Sequence, residues 1–244
     1  MRNFRDLSYL GLKEGMICRS DVLFNLSKED KVFLKKEHNI RIVIDLRRKR
    51  ERKILKDSFI FGVRDYNLQL AKDGEIIMKE HMGMTLPDMA PFYKEIVGKE
   101  KKKAWTKVFK LLLKNNNKGI LYHCSSGKDR TGILTAVILY ALGFDKETIY
   151  KDYLLTNESP LYYKEHVPDT LNKEQKKIWL EYFEARKEYL DISFDEIDRV
   201  FGSLDNFLVE NCSLDEEKIN KLRGKYLKYI YFRNVNIDKV PSQN

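Results

Sequence analysis

Residues 133–142 read Ile-Leu-Thr-Ala-Val-Ile-Leu-Tyr-Ala-Leu, apolar on nearly every face of a helix. A helix with no polar face has to be covered on all sides, so it forms the buried centre of the fold. The run Gly119-Ile120-Leu121-Tyr122-His123 shortly before it is a short apolar strand. A strand therefore feeds the central helix through the turn at 124–129. Residues 40–46, Ile-Arg-Ile-Val-Ile-Asp-Leu, make a second buried strand, with side chains emerging from the sheet at Asp45, Leu46 and Arg47. Strands alternating with helices predict an α/β domain. The expected architecture is a central sheet of a few strands flanked by helices, with a helix-rich C-terminal part. The 244 residues suffice for one domain, and no repeat or Pro/Gly/Ser-rich linker divides them. A single domain over 1–244 is expected.

Local signals place the other elements. Ser27, followed by Glu29 and Asp30, predicts a helix running to about residue 37 with Val32 and Phe33 inward. Weak strands are expected near 59–70 and a helical piece near 91–97. Residues 104–114 predict a helix with Trp105, Val108, Phe109, Leu112 and Leu113 on its apolar side, closed by the Asn-rich turn before Gly119. Asp145 caps a helix toward Thr156. Residues 174–190 read as one helix with Ile178, Trp179, Tyr182, Phe183 and Leu190 on a face. Ser193 with Glu196, and Ser213 with Glu216, have the spacing of capping boxes.

The turn at 124–129 carries the chemistry. Cysteine attacks as the thiolate, and a free thiol has a pKa of about 8.5. Cys124 sits just before a helix N-terminus, where unpaired amides and the helix dipole favour an anion. Gly127 permits a tight turn, and the N–H groups of Ser125, Ser126, Gly127 and Lys128 can form an anion nest. Arg130 offers a planar fork for two phosphate oxygens. A nucleophile, an amide cradle and an arginine together make a phosphate site with sulfur at its floor. In-line attack then gives a phospho-cysteine that water hydrolyses. Thr131 is placed to donate a hydrogen bond to Cys124 in that second step. The leaving oxygen needs a proton from a carboxylic acid. Asp129, inside the loop, is the first candidate; Asp45 and Asp88 are alternatives. Lys128 beside Arg130 suits a substrate with a second anionic group. His123 orients and tunes the loop, and Asp45 pairs with Arg47 to brace it.

Other classes fit less well. A nucleotide-binding loop needs glycine where Tyr122 stands and Ser/Thr where Asp129 stands. Sulfur transfer does not call for the full Cys-x5-Arg-Thr set. A silent phosphate-binding module would be signalled by loss of Cys124, Asp129 or Arg130, and all three are present. The four histidines are spread out and no CxxC occurs, so neither a metal nor another cofactor is expected. Cys18 and Cys212 read as structural. Three sparse cysteines suit a reducing compartment, so a cytoplasmic monomer is expected, with secretion open. No run reaches the ~18 apolar residues of a membrane span. The net charge of +9 is either a solvated lysine surface or a field that draws anionic substrates. No nucleic-acid motif accompanies it, so nucleic acid is not an expected partner.

His123-Cys124-Ser125-Ser126-Gly127-Lys128-Asp129-Arg130-Thr131-Gly132 resembles the phosphate loop of the bacterial protein tyrosine/serine phosphatases that also act on phosphoinositides. The resemblance extends along most of the chain. Asn3-Phe4-Arg5-Asp6-Leu7, Arg19-Ser20-Asp21, and Ile44-Asp45-Leu46-Arg47 with Glu51 resemble the family's earlier motifs. Asp152-Tyr153-Leu154-Leu155-Thr156-Asn157 and residues 194–227 resemble its C-terminal helices. Ser125-Ser126 stands where many members have an alanine before the glycine. The resemblance implies a cysteine-phosphatase-like fold, Cys124 as nucleophile, Arg130 as phosphate binder and Asp129 as acid. It also implies Lys128 as a contact for a lipid headgroup or phosphopeptide, and a helical lid at about 162–190. Expected partners are a phosphorylated protein or inositol lipid and an oxyanion in the loop.

Overall fold

The computed structural model describes residues 1–72, 88–159 and 165–228. The strands are β1 (Arg5–Asp6), β2 (Ile17–Ser20), β3 (Ile40–Asp45), β4 (Arg64–Asn67) and β5 (Gly119–His123). They form one sheet in the order β1-β2-β5-β3-β4. β5 lies between β2 and β3, parallel to both, and β4 runs parallel along β3. Among the described strands only β1 is antiparallel, on the edge beside β2. Parallel neighbours need long crossovers, and helices supply them.

The register aligns the strand ends. Ser20 and Asp45 both pair with His123, and Asn67 pairs with Asp45. Four parallel strands thus end together, and the carboxyl edge of such a sheet is where loops gather into sites.

The helices, in chain order, are α1 (Lys28–Val32), α2 (Lys49–Ile54), α3 (Ala90–Val97), α4 (Lys102–Lys114) and α5 (Asp129–Leu142). After them come α6 (Lys146–Leu154), α7 (Lys173–Tyr182), α8 (Lys187–Phe201), α9 (Leu204–Glu210) and α10 (Glu216–Tyr226). As its sequence demands, α5 is buried everywhere except at Asp129 and Tyr140. It lies so close to α6 that a Cβ on Gly132 would sit 2.6 Å from the Tyr153 ring. The apolar stripe of α4 turns inward. Trp105 is fully buried, stacks edge-on with Phe207 and donates its Nε1–H to the Ile96 carbonyl at 2.9 Å. A truncation there would cost about 3–5 kcal/mol.

Four local expectations differ. The helix begun by the Ser27/Asp30 capping box widens after Val32 into a π turn at Phe33–Glu37. The extra residue per turn rotates the apolar face: Leu34 is buried and Val32 is 46% exposed. The expected helix 174–190 is two helices, broken at 183–186. Ser193 lies inside α8, where its buried hydroxyl donates to the Tyr93 carbonyl at 3.1 Å rather than capping. At α10 the cap is Asp215, which accepts from the Lys218 amide, while Ser213 adopts a left-handed φ of 59° and bonds Thr106. Both serines meet tertiary partners that local spacing does not reveal. Among the described residues no helix is long and apolar enough to cross a membrane.

Candidate active site

The loop from Cys124 to Lys128 joins β5 to α5 at the carboxyl edge of the sheet. Its carbonyls are held from outside. Asn3 Nδ2 donates to Ser126 O at 3.0 Å, Arg19 to Gly127 O at 2.7 Å, and the Val22 amide to Ser125 O at 3.3 Å. Gly127 has φ +69°, and a Cβ there would stand 2.5 Å from Ser20 O. Only glycine satisfies both the dihedral and the close approach. Among the described residues, the amides of Ser125, Ser126, Gly127, Asp129 and Arg130 donate to no backbone carbonyl. Tethered carbonyls with uncommitted amides at a helix start are the makings of an anion nest. Cys124 is 1% exposed at the base of this loop.

Arg130 is held in place by Glu51. Its two terminal nitrogens donate to Glu51 Oε2 and Oε1 at 2.6 and 2.7 Å. The Ser125 hydroxyl donates to Glu51 Oε1 at 2.6 Å. Burial alone would raise the Glu51 carboxyl, but Arg130 and Ser125 outweigh it and hold it down to about 2. Burial likewise opposes the Arg130 charge, and Glu51 with nearby Cys124 more than restores it. Glu51 stands at the third position of α2, so that helix carries the arginine's anchor. Arg130 and Arg48 also both lie over the Phe92 ring, at 5.8 and 5.4 Å.

These groups wall a cavity of about 140 Å³. Arg47, Arg48, Ser125, Ser126, Asp129 and Arg130 give it a basic, hydrogen-bonding side, while Met89, Phe92, Tyr182 and Phe183 give it an apolar one.

Asp129 accepts a hydrogen bond from the buried Tyr93 hydroxyl, which also lies 2.9 Å from the Tyr153 hydroxyl. Lys128 faces elsewhere. Its buried ammonium donates to the carbonyls of Tyr182 at 2.6 Å and Glu184 at 3.2 Å, and lies 3.5 Å from Asp129 Oδ1. It thereby ties the phosphate loop to the break between α7 and α8.

The other acid candidates are placed differently. The buried Asp45 carboxylate is occupied by Arg47 at 2.9 and 3.0 Å and by Arg52 at 2.9 Å. Arg47 also reaches Asp57 at 2.8 Å and the Leu55 carbonyl at 2.6 Å. Asp88 is exposed and accepts from the Ala90 amide at the start of α3. Neither Asp45 nor Asp88 lines the cavity. His123 is fully buried, with Nε2 3.1 Å from Asp57 Oδ2, an ion-pair distance at an angle poor for hydrogen bonding. Burial lowers its pKa, but Asp57 and Asp45 overcome that and raise it to about 9. The buried Thr131 hydroxyl makes no hydrogen bond among the described residues.

Asp57 and Tyr93 are residues that sequence reasoning missed. Asp57 lies in an irregular loop and Tyr93 reads as one more core aromatic, so neither stands out before tertiary contacts exist. Arg19 and Asp152 were visible as motif residues but not as a pair. They meet at 2.6 Å, and the same arginine holds the loop. Among the described residues, two groups have metal-ligand chemistry. Asp45 and Asp57 are already committed to Arg47, and His123 faces Asp57. Asp6, Cys18 and His38 cluster on the other side of β2 from the loop, where Asp6 and His38 approach to 3.2 Å.

Triple specificity protein phosphatase PtpB of Mycobacterium tuberculosis is 30% identical over 121 residues, which are 44% of this chain and 44% of that protein. A Cupriavidus necator protein assigned by inference as a tyrosine-protein phosphatase is 33% identical over 112 residues, 45% of this chain and 40% of its own. The matches thus span less than half the length of either relative. Among solved structures, the core catalytic domain of the PP-IP phosphatase SIW14 from S. cerevisiae, in complex with citrate, is 18% identical with a TM-score of 0.36. That alignment covers 81% of this chain and 94% of that one. PTPMT1 in complex with PI(5)P is 14% identical with a TM-score of 0.33, over 74% and 97% of the two chains. The model of the tyrosine phosphatase family matches residues 1–228, and on that match the chain belongs to this family.

Proposed function

We propose that the protein is a cysteine-dependent phosphatase that hydrolyses phosphate monoesters through a phospho-cysteine intermediate. The observation that carries this reading is the loop itself. Among the described residues the amides of Ser125, Ser126, Gly127, Asp129 and Arg130 donate to no backbone carbonyl, and the loop leads from Cys124 to an arginine locked in place by Glu51. Such a loop binds the three non-bridging oxygens of a phosphoryl group and stabilises charge that builds on them. The Cys124 thiolate attacks phosphorus and the bond to the leaving oxygen breaks. Asp129 protonates that oxygen as it departs. Water then attacks the phosphorus–sulfur bond, gives its proton to Asp129, and releases phosphate and the thiolate. Tyr93 orients Asp129, and Asp45, Arg47, Asp57 and His123 brace the loop from behind.

The apolar wall of Met89, Phe92, Tyr182 and Phe183 suits an aryl phosphate, so phosphotyrosine is the first substrate class. Phosphoserine, phosphothreonine and phosphoinositides follow from the basic side of the same cavity. The named triple specificity of one relative fits that range. We read residues 165–190 as the described part of a lid, pinned by Lys128; residues 162–164 lie outside the described residues. We also read the chain as one domain and a monomer. Its three cysteines are buried and unpaired, in keeping with a reducing, cytoplasmic setting.

The test is phosphate release from a phosphotyrosine peptide, a phosphoserine peptide and a soluble inositol phospholipid, with Cys124→Ser as the blank. Release that vanishes in the variant supports the reading, and the ranking names the substrate class. No release above the blank from any of the three contradicts it.

A further inference from the structure

Beside the catalytic cavity the surface carries apolar side chains in a basic setting. Phe59 and Phe61 are each 79% exposed, Ile54 62% and Phe24 43%. Single exposed apolar residues are ordinary, but grouped ones mark a contact surface. These are grouped. Phe24 bridges to Asp57, the Ser58 amide donates to Leu23 O at 2.7 Å, and the Leu26 amide donates to Ser58 Oγ at 2.8 Å. The loop bearing Phe59 is therefore strapped to the turn bearing Phe24. Ile54 and Leu55 line the catalytic cavity, and Leu55 also lines the hollow that Phe24 borders. The patch adjoins the mouth of the site.

The surrounding charge is one-sided. Lys49, Arg50, Lys53 and Lys56 are exposed, and the Lys35 ammonium lies 5.5 Å over the Phe61 ring. Nearby acids are already engaged: Glu51 by Arg130, Asp57 by Arg47 and His123, Asp65 by Arg52 at 3.6 Å. An acidic peptide would need only the cations. Phe59 and Phe61 flank the buried Ile60 and project from the surface, and projecting aromatics ringed by cations match the interface of an anionic bilayer.

We propose that this face docks on anionic lipid membranes. Phe59 and Phe61 enter the headgroup boundary, the lysines and arginine meet the lipid charges, and the catalytic mouth opens at the membrane surface. The inference goes beyond the catalytic reading and does not depend on it.

The test is co-sedimentation of the full chain with vesicles of phosphatidylcholine alone or mixed with phosphatidylserine. It uses wild type, Phe59→Ala/Phe61→Ala and Lys53→Glu/Lys56→Glu. Circular dichroism and urea midpoints equal to wild type report that each variant is folded, and Cys124→Ser protein separates docking from catalysis. Wild type and Cys124→Ser are expected to bind only the anionic vesicles, more weakly as salt rises. Each double variant binds at least about tenfold more weakly. No vesicle binding, equal binding to neutral vesicles, or an unchanged phenylalanine variant overturns the proposal. So does a polyglutamate peptide that displaces wild type from vesicles and binds the phenylalanine variant undiminished, which would point to an acidic protein partner.

Discussion

Asp129 has a position that the other two acid candidates, Asp45 and Asp88, lack. It lines the cavity and takes its hydrogen bond from a buried tyrosine, whereas Asp45 is saturated by arginines and Asp88 starts a helix. Asp129→Asn is expected to lower kcat/KM by about 10²-fold for poor leaving groups and far less for p-nitrophenyl phosphate. A leaving-group series measured on both proteins checks this, and equal losses across the series contradict the assignment. Cys124, Arg130 and Gly127 were legible in the sequence because the chemistry fixes their spacing within one loop. Glu51, Asp57 and Tyr93 contribute from three other segments. Their roles appear only once Glu51 is seen gripping Arg130, Asp57 facing His123, and Tyr93 reaching Asp129.

Elements were legible where burial is complete. β5 and α5 read directly from their apolar runs, because every face must be covered. α1 and the α7–α8 pair were not, since a π turn and a four-residue break leave composition unchanged while moving the apolar face. Tertiary bonds stabilise that break, above all Lys128 on the carbonyls of Tyr182 and Glu184. Lys128→Met keeps the apolar stem and removes the charge-assisted bonds. It is expected to destabilise the protein by about 1–3 kcal/mol and to speed amide exchange across 182–186 while exchange in α5 keeps its wild-type rank. Unchanged exchange at 182–186 would show that the tether does not hold the break.

At the scale of the whole molecule, the same buried ion network that braces the site sets how stability varies with pH. His123 is raised to about 9, so folding takes up a proton as pH rises from the ordinary histidine range toward 9. Its contribution is complete below about pH 6.5 and is lost through pH 9, an order-of-magnitude loss of about 3 kcal/mol. Glu51, held down to about 2, works in the other direction: its contribution is complete above about pH 4.5 and falls away toward pH 2. Urea midpoints measured from pH 3 to 10 should therefore fall on the alkaline side, between about pH 6.5 and 9. His123→Gln should flatten the alkaline limb; an alkaline slope equal to wild type would mean the Asp57 pair carries no such coupling. The α/β class and central helix were readable at this scale from burial alone. The strand order was not, because β1, β2 and β4 are two to four residues long and owe their place to pairing.

The central claim is that sulfur carries the phosphoryl group, and chemical trapping tests it most directly. Protein mixed with radiolabelled aryl phosphate and quenched in acid within one turnover is expected to hold label on the peptide containing Cys124. The label should be absent in Cys124→Ser and should accumulate if Asp129→Asn slows hydrolysis of the intermediate. Phosphate release in the same burst with no label on that peptide would mean that water attacks the substrate directly, and the account of Cys124 as nucleophile would be wrong.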